Sequence, residues 1–318
     1  MRYGIIVSLI FVLTVISCKK DDGDGVVTVP PSLLSDVAPE DDAAIKDYLN
    51  THFYNYEDFE NEPDGFDHKI VIDTLAGDNL DKRSLMEDAQ SMVIKVSSDY
   101  LGLSAGEEDI EHTLYFIEVR KGGGGSPTFA DSTLVRYQGS LLNGKLFDES
   151  QDFVWQELPI TVRGYGNGVS KFNAGTEDQI VENPDGTYNI TNSGLGIIVM
   201  PSGLAYFNTS NSSLIPIYSP LVFKIELGLY VENTDRDNDG IPSIEEDLNG
   251  NGYLNDDNTD AEDESRFVPA SPNFNDADDD GDGVSTRSEI TDENGTIIKP
   301  YPDKDGDGIP DYLDPDTN

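Results

Sequence analysis

The chain has 318 residues, a hydrophobic fraction of 36%, one cysteine and a formal charge of −42. So acidic a chain repels nucleic acid and anionic lipid surfaces and attracts cations, which excludes a nucleic-acid partner. A single thiol excludes an intramolecular disulfide, and His52, His68 and His112 lie too far apart for zinc spacing, so each is read as a surface or packing residue.

The length suggests about two domains, and the low apolar content suggests that part of it builds no core. Residues 1–18 read as an address. Arg2 precedes an apolar run from Ile5 to Ile16, too short to cross a ~30 Å hydrocarbon core and suited to a secretory signal. Val15-Ile16-Ser17-Cys18 resembles the lipobox of bacterial lipoproteins. The resemblance implies cleavage before Cys18 and attachment to the membrane through lipid on that residue; the alternative is an ordinary secretory signal with an incidental cysteine. Lys19-Lys20-Asp21-Asp22 resembles the export signal that sends some Gram-negative lipoproteins to the cell exterior. The expected location is the outer membrane, with external exposure first and the periplasmic face second.

Residues 19–33 read as a linker, polar and ending in Pro30-Pro31. Residues 34–110 form an accessory region. There, Pro39-Glu40-Asp41-Asp42 suits a helix N-terminus, and Ile45, Tyr48, Leu49 and Phe53 mark one face of an amphipathic helix. Ile70–Ile72 and Met92–Val96 read as short strands. No chemistry attaches to this region, which is expected to be a layer on the next domain or a dimerisation element.

Residues 111–232 alternate between strand and helix signals. Leu114–Val119, Thr133–Gln138 and the alternating run around Phe223, Ile225, Leu227 and Leu229 read as strands, and Gly164–Phe172 as a short helix ended by Ala174-Gly175. The expected class is α+β, an antiparallel sheet wrapped on one short helix, flanked by the accessory segment and an irregular tail.

Val135-Arg136-Tyr137-Gln138-Gly139, Leu142 to Ser150 with its Phe147-Asp148 pair, Val162-Arg163-Gly164-Tyr165, Leu204-Ala205-Tyr206, Leu214-Ile215-Pro216 and Leu221 to Leu227 occur in order. Together they resemble the FKBP-type peptidyl-prolyl isomerases over about Glu111 to Glu232. The resemblance implies a pocket of Tyr137, Phe147, Val162, Tyr165, Tyr206, Ile215 and Phe223, with Phe153 or Trp155 closing one side. It implies that Asp148 and the Tyr206 hydroxyl hold the substrate carbonyl region, and that the Val162 N–H anchors the peptide. Proline-containing polypeptides would be the partners, and no cofactor is needed for catalysis. Three features depart from the family: Tyr165 stands where a Trp is usual, no Arg follows closely after Asp148, and residues 176–196 form an insertion with an Asn183-Pro184-Asp185-Gly186 turn. The competing reading, that these aromatics are only core, is weakened by a carboxylate set among them.

Residues 233–318 read as an acidic calcium-binding region; from 235 onward they carry 26 Asp and Glu against five Lys and Arg. Asp235, Asp237, Asp239, Gly240, the Ile241 carbonyl, Ser243 and Glu246 follow the spacing of an EF-hand loop. So do Asp278, Asp280, Asp282, Thr286 and Glu289, and again Asp303, Asp305, Asp307, Asp311 and Asp314. Asp247, Asn249, Asn251, Asn255 and Asn258 make a poorer fourth. Proline in the repeated Asp-Gly-Ile-Pro argues against exiting helices; the loops instead resemble thrombospondin type 3 repeats, in which Ca²⁺ is structural. The alternative is a solvated, disordered tail. Three functions are open at this point: a tethered isomerase of exported proteins, a non-catalytic lipoprotein that binds proline-containing peptides, and a calcium stalk on an FKBP scaffold.

Overall fold

The computed structural model describes residues 30–209, 212–261 and 271–317. The signal, Cys18 and Lys19–Asp22 lie outside the described residues, and those from Ser32 onward pack as one unit. Among the described residues no helix is long and apolar enough to cross a membrane.

The elements run α1 (Leu34–Thr51), β1 (His52–Tyr54), α2 (Tyr56–Asn61), β2 (Ile72–Thr74), α3 (Leu85–Asp88), β3 (Gln90–Val96), β4 (Ile110–Arg120), β5 (Ser132–Leu141), β6 (Leu146–Glu157), α4 (Arg163–Val169), β7 (Ile180–Glu182), β8 (Tyr188–Ile190), β9 (Gly194–Met200), β10 (Leu221–Val231) and α5 (Thr286–Glu289). Six strands form one antiparallel sheet in the order β3-β4-β9-β10-β5-β6. The insertion is the small β7–β8 hairpin, turning at Gly186 with φ of 86°.

Strand alternation sorts the sheet into two apolar faces. Leu114, Ile198, Met200, Phe223 and Ile225 face α4, with Tyr165 and Val169. Tyr115, Ile117, Ile197, Val199 and Val222 face the other way, toward Ile45, Tyr48 and Leu49 of α1. Every residue of β9 is buried, because it is covered on both sides. That explains the unbroken apolar run of Gly194 to Met200, a pattern expected of a doubly covered strand.

The accessory region thus covers the second face of the sheet, and β3 from that region supplies one of its edges. Several local expectations are corrected: Phe53 lies in β1 rather than on the helix, and of Ile70–Ile72 only Ile72 is in a strand. Helix α1 begins at Leu34, not near Pro39, and contains that proline. The Glu107 carboxylate, distant in sequence, accepts from the N–H groups of Leu34 (2.7 Å) and Ser35 (3.1 Å) and so satisfies the helix start. Pro39 is exposed, so the Ser35 carbonyl that loses a donor can turn to water. Helix α4 ends at Val169 rather than Phe172. Its glycines are a packing device: a Cβ at Gly168 would lie 2.7 Å from Ile198 Cδ1, and one at Gly164 would lie 2.9 Å from Met200 Sδ. The helix axis comes close to the sheet because those side chains are missing.

Candidate functional site

Phe147, Tyr165 and Phe223 meet edge to face, with Tyr165–Phe223 centroids 5.1 Å apart and Phe147–Phe223 5.6 Å apart. Tyr165, Ile215 and Phe223 are buried and form a floor, and Tyr137, Phe147, Val162 and Tyr206 pack on it half-exposed as a rim. A Cβ at Gly139 would lie 2.7 Å from the Phe147 ring, so the glycine lets that ring lie over β5. Tyr137, Phe147, Tyr165 and Phe223 therefore converge, and Val162, Tyr206 and Ile215 pack on the same core. A cavity of about 630 Å³ lies on the other face of the sheet, lined by Ile70, Arg136, Gln138, Lys224 and Glu226 and touching the cluster only at Tyr137. One of about 390 Å³ lies beside the cluster, lined by Val96, Tyr100, Val162, Arg163 and Leu204.

The Tyr137 hydroxyl donates to Asp148 Oδ2 at 2.8 Å. Burial, and then this bond, push the Tyr137 phenol up to about 12, while burial and the Asp148 charge raise that of Tyr206. Asp148 is exposed rather than buried, as befits residue 148 on a strand edge. Its carboxylate is turned toward Tyr137 all the same. The Val162 carbonyl is engaged by Tyr165 and Gly166 of α4. Its N–H meets no backbone acceptor among the described residues.

Neither Phe153 nor Trp155 closes the cleft. Alternation along β6 turns both away: Phe153 stacks on Tyr188 at 5.7 Å beneath the Arg136 guanidinium, and Trp155 is exposed. Val154 packs inward instead, and Gln156 Oε1 accepts the buried Tyr165 hydroxyl at 2.7 Å. Gln156 was missed because nothing in a Gln within a polar strand signals a partner on a helix. His112 is a buried packing residue whose pKa is lowered by desolvation.

The acidic loops repeat one hydrogen-bond pattern. The first carboxylate takes the N–H of the glycine five residues on: Asp235 from Gly240 (3.0 Å), Asp278 from Gly283 (3.1 Å) and Asp303 from Gly308 (3.1 Å). The third and fifth positions each bond the N–H two residues on, as Asp237, Asp239, Asp280, Asp282, Asp305 and Asp307 do. Each carboxylate in the first two loops thereby keeps one buried oxygen with no hydrogen-bond partner: Oδ1 of Asp235 and Asp278, and Oδ2 of Asp237, Asp239, Asp280 and Asp282. Both oxygens of Glu246 and of Glu289 are also unpartnered. Inward oxygens without donors, in clusters within 4.8 Å, are the donor set of a hard divalent cation. The residues present fit Ca²⁺.

Burial, with mutual repulsion, raises these acids: Glu246 to about 10, Glu289 to about 8, Asp237 to about 7 and Asp239 to about 6. The ninth-position side chains also close their loops, and Asp311 keeps a buried Oδ2 without a hydrogen-bond partner. Ser243 accepts the N–H of Arg236 (3.3 Å), Thr286 that of Asp279 (3.1 Å) and Asp311 that of Lys304 (2.8 Å). In the third loop Asp303, Asp305 and Asp307 cluster, but Asp314 bonds Asp316 and Thr317. Ile241, Ile290 and Tyr312 join in one small apolar cluster, so the three loops share a core. Where proline follows the Gly-Ile pair the loop ends in a 3₁₀ turn, at Ser243–Glu246 and Asp311–Leu313; the loop without one ends in α5.

The tail is seated on the sheet domain. Arg163, first residue of α4, donates to the Asn251 carbonyl (2.9 Å) and lies over Tyr253, while Phe274 and Leu254 pack with Ala130.

Residues 236–303 match the family described as BamM C-terminal. Over 110 residues, 35% of this chain and 40% of the relative, the sequence is 29% identical to a probable FKBP-type 25 kDa peptidyl-prolyl cis-trans isomerase of Pseudomonas aeruginosa. The chain thus spans less than half the length of that curated relative. A peptidyl-prolyl isomerase structure from Pseudomonas syringae pv. tomato shares 27% identity at a TM-score of 0.31, covering 37% of this chain and 76% of the other. FkpA from Escherichia coli shares 22% at a TM-score of 0.33, covering 61% of each. Over about a third of its length, then, the chain is homologous to the FKBP-type peptidyl-prolyl isomerases.

Proposed function

We propose that the chain is a peptidyl-prolyl cis-trans isomerase acting on Xaa-Pro bonds of exported proteins, held at the outer membrane by lipid on Cys18, with a calcium-binding tail. The observation that carries the isomerase reading is the aromatic cleft with the Tyr137–Asp148 bond on its rim, together with the homology. Rotation about a prolyl amide crosses a barrier of about 18–20 kcal/mol set by resonance. A twisted amide is less conjugated and less dipolar than a planar one, so an apolar floor of Tyr165, Ile215 and Phe223 favours it over the ground state. The Val162 N–H would anchor the peptide, and the Tyr206 hydroxyl and Asp148 would position the carbonyl region. No nucleophile or general base enters the reaction.

A protease-coupled assay on an Xaa-Pro peptide, with soluble chain starting at Lys19, tests this. Turnover by the wild type, lowered about ten-fold by Tyr206→Phe and by Asp148→Ala, is expected, since one hydrogen bond of about 1.5 kcal/mol corresponds to that factor. Peptide binding without turnover would favour a non-catalytic binder. For the tail, millimolar Ca²⁺ should protect residues 235–317 from protease relative to chelator, and identical digests would remove the calcium reading. Palmitate labelling of the full-length protein in cells, lost in Cys18→Ser, tests the anchor.

A further inference from the structure

Asp279 holds the second position of the second acidic loop, where the loop spacing assigns no ligand. Its N–H is fixed by Thr286 Oγ1 at 3.1 Å. The residue is 1% exposed, and neither carboxylate oxygen has a hydrogen-bond partner. The side chain leaves its own loop for the first one: ligand oxygens of Asp279, Asp239 and Glu246 all lie within 4.8 Å of one another. Glu246 is also 1% exposed with both oxygens unpartnered, and Asp239 is 2% exposed with Oδ2 unpartnered. Like charges gathered out of water and without donors are strongly unfavourable unless protons or a cation neutralise them, and a cation does so with the carboxylates ionised. Of the nearby guanidiniums, Arg236 is engaged with Asn275 and Glu157, while Arg287 donates to the Asn238 carbonyl and its charge reaches Asp239 without bonding it. An all-oxygen, carboxylate-rich set selects calcium over softer metals.

We propose that Asp279 is a calcium ligand of the first loop, so that one ion, held by Asp239 and Glu246 on one side and Asp279 on the other, staples the first loop to the second. This rests on the calcium reading of the tail and adds a ligand that the repeat spacing does not contain. The first two loops are then a closed pair, and filling the first requires the second to be folded against it.

Calcium titration calorimetry and thermal unfolding, on chain from Lys19 stripped of metal, test the inference with Asp279→Asn. Glu293→Gln, an exposed acid, controls for charge, and Glu289→Gln reports the second loop's own site. Asp279→Asn should weaken one calcium site about ten-fold or more, because ligand charge tunes such sites, and should spare the site that Glu289→Gln abolishes. It should also melt higher than wild type in chelator, where a buried repulsion is gone, and lower in millimolar calcium. A purely structural Asp279 would lower the melting temperature in both. If Asp279→Asn titrates and melts like Glu293→Gln, the shared ligand is overturned while the calcium reading stands. If the wild type neither binds calcium nor shifts its melting temperature, the calcium reading falls and takes this inference with it.

Discussion

One oxygen of Asp41, in α1, accepts both the backbone N–H of Ser202 (2.7 Å) and its hydroxyl (2.6 Å), across 161 positions of sequence. Ser202 begins the one-turn 3₁₀ helix Ser202–Leu204 that leads into Tyr206. The accessory helix therefore holds the base of the segment that brings Tyr206 to the cleft.

Asp41→Ala strands two buried donors and should destabilise the fold by about 3 kcal/mol. Asp41→Asn, which keeps an acceptor oxygen, should cost less. Urea unfolding of both variants measures the difference, and equal losses would contradict the geometry. If the contact also positions Tyr206, Asp41→Ala should lower kcat/KM in the isomerisation assay under conditions where it remains folded.

The same carboxylate has a pH signature. Burial, opposed by the Ser202 bonds, raises the Asp41 pKa above its ordinary 3.8. The folded chain therefore binds this proton more tightly than the unfolded chain. The contribution of Asp41 to stability is greatest below about pH 3.8 and declines as pH rises through the folded value. Subtracting the stability of Asp41→Asn from that of wild type at each pH isolates this slope; a difference that grows with pH would have the wrong sign.

Tyr165 and Gln156 form a buried donor–acceptor pair beneath the cleft. Gln156→Leu leaves the Tyr165 hydroxyl unsatisfied at a cost of about 1–3 kcal/mol. Adding Tyr165→Phe should recover part of that loss. A double-mutant cycle with a coupling of about 1 kcal/mol is expected, and additive losses would show that the bond contributes nothing.

At Gly168 helix propensity and packing oppose each other. Alanine gains about 1 kcal/mol in a helix, but its Cβ would meet Ile198 at 2.7–2.9 Å. Overpacking of that kind costs about 1–3 kcal/mol, so Gly168→Ala should be net destabilising, and Gly168→Ala with Ile198→Val should regain stability. Denaturant midpoints decide the sign.

Periodicity was sufficient to find the strands around Leu114, Thr133 and Phe223, because a strand's inward face is written in alternate residues. The acidic loops were legible for a related reason: glycine and carboxylates at set intervals are demanded by a turn that involves only its own dozen residues. Phe153 and Trp155 show where such reading stopped. Both are aromatic and near the site, but only the register of β5 with β6 makes Val154 and Gln156 the inward residues.

The order of residues by itself determined the strand periodicity and the carboxylate spacing, since each depends on neighbours a few positions away, while the pocket residues came from the resemblance to the FKBP-type isomerases. Tertiary structure alone decided that Asp41 meets Ser202, that Tyr165 finds Gln156, and that Asp279 enters the first loop. A buried polar atom must find a partner, and which distant atom comes within reach depends on how the layers pack rather than on any local pattern.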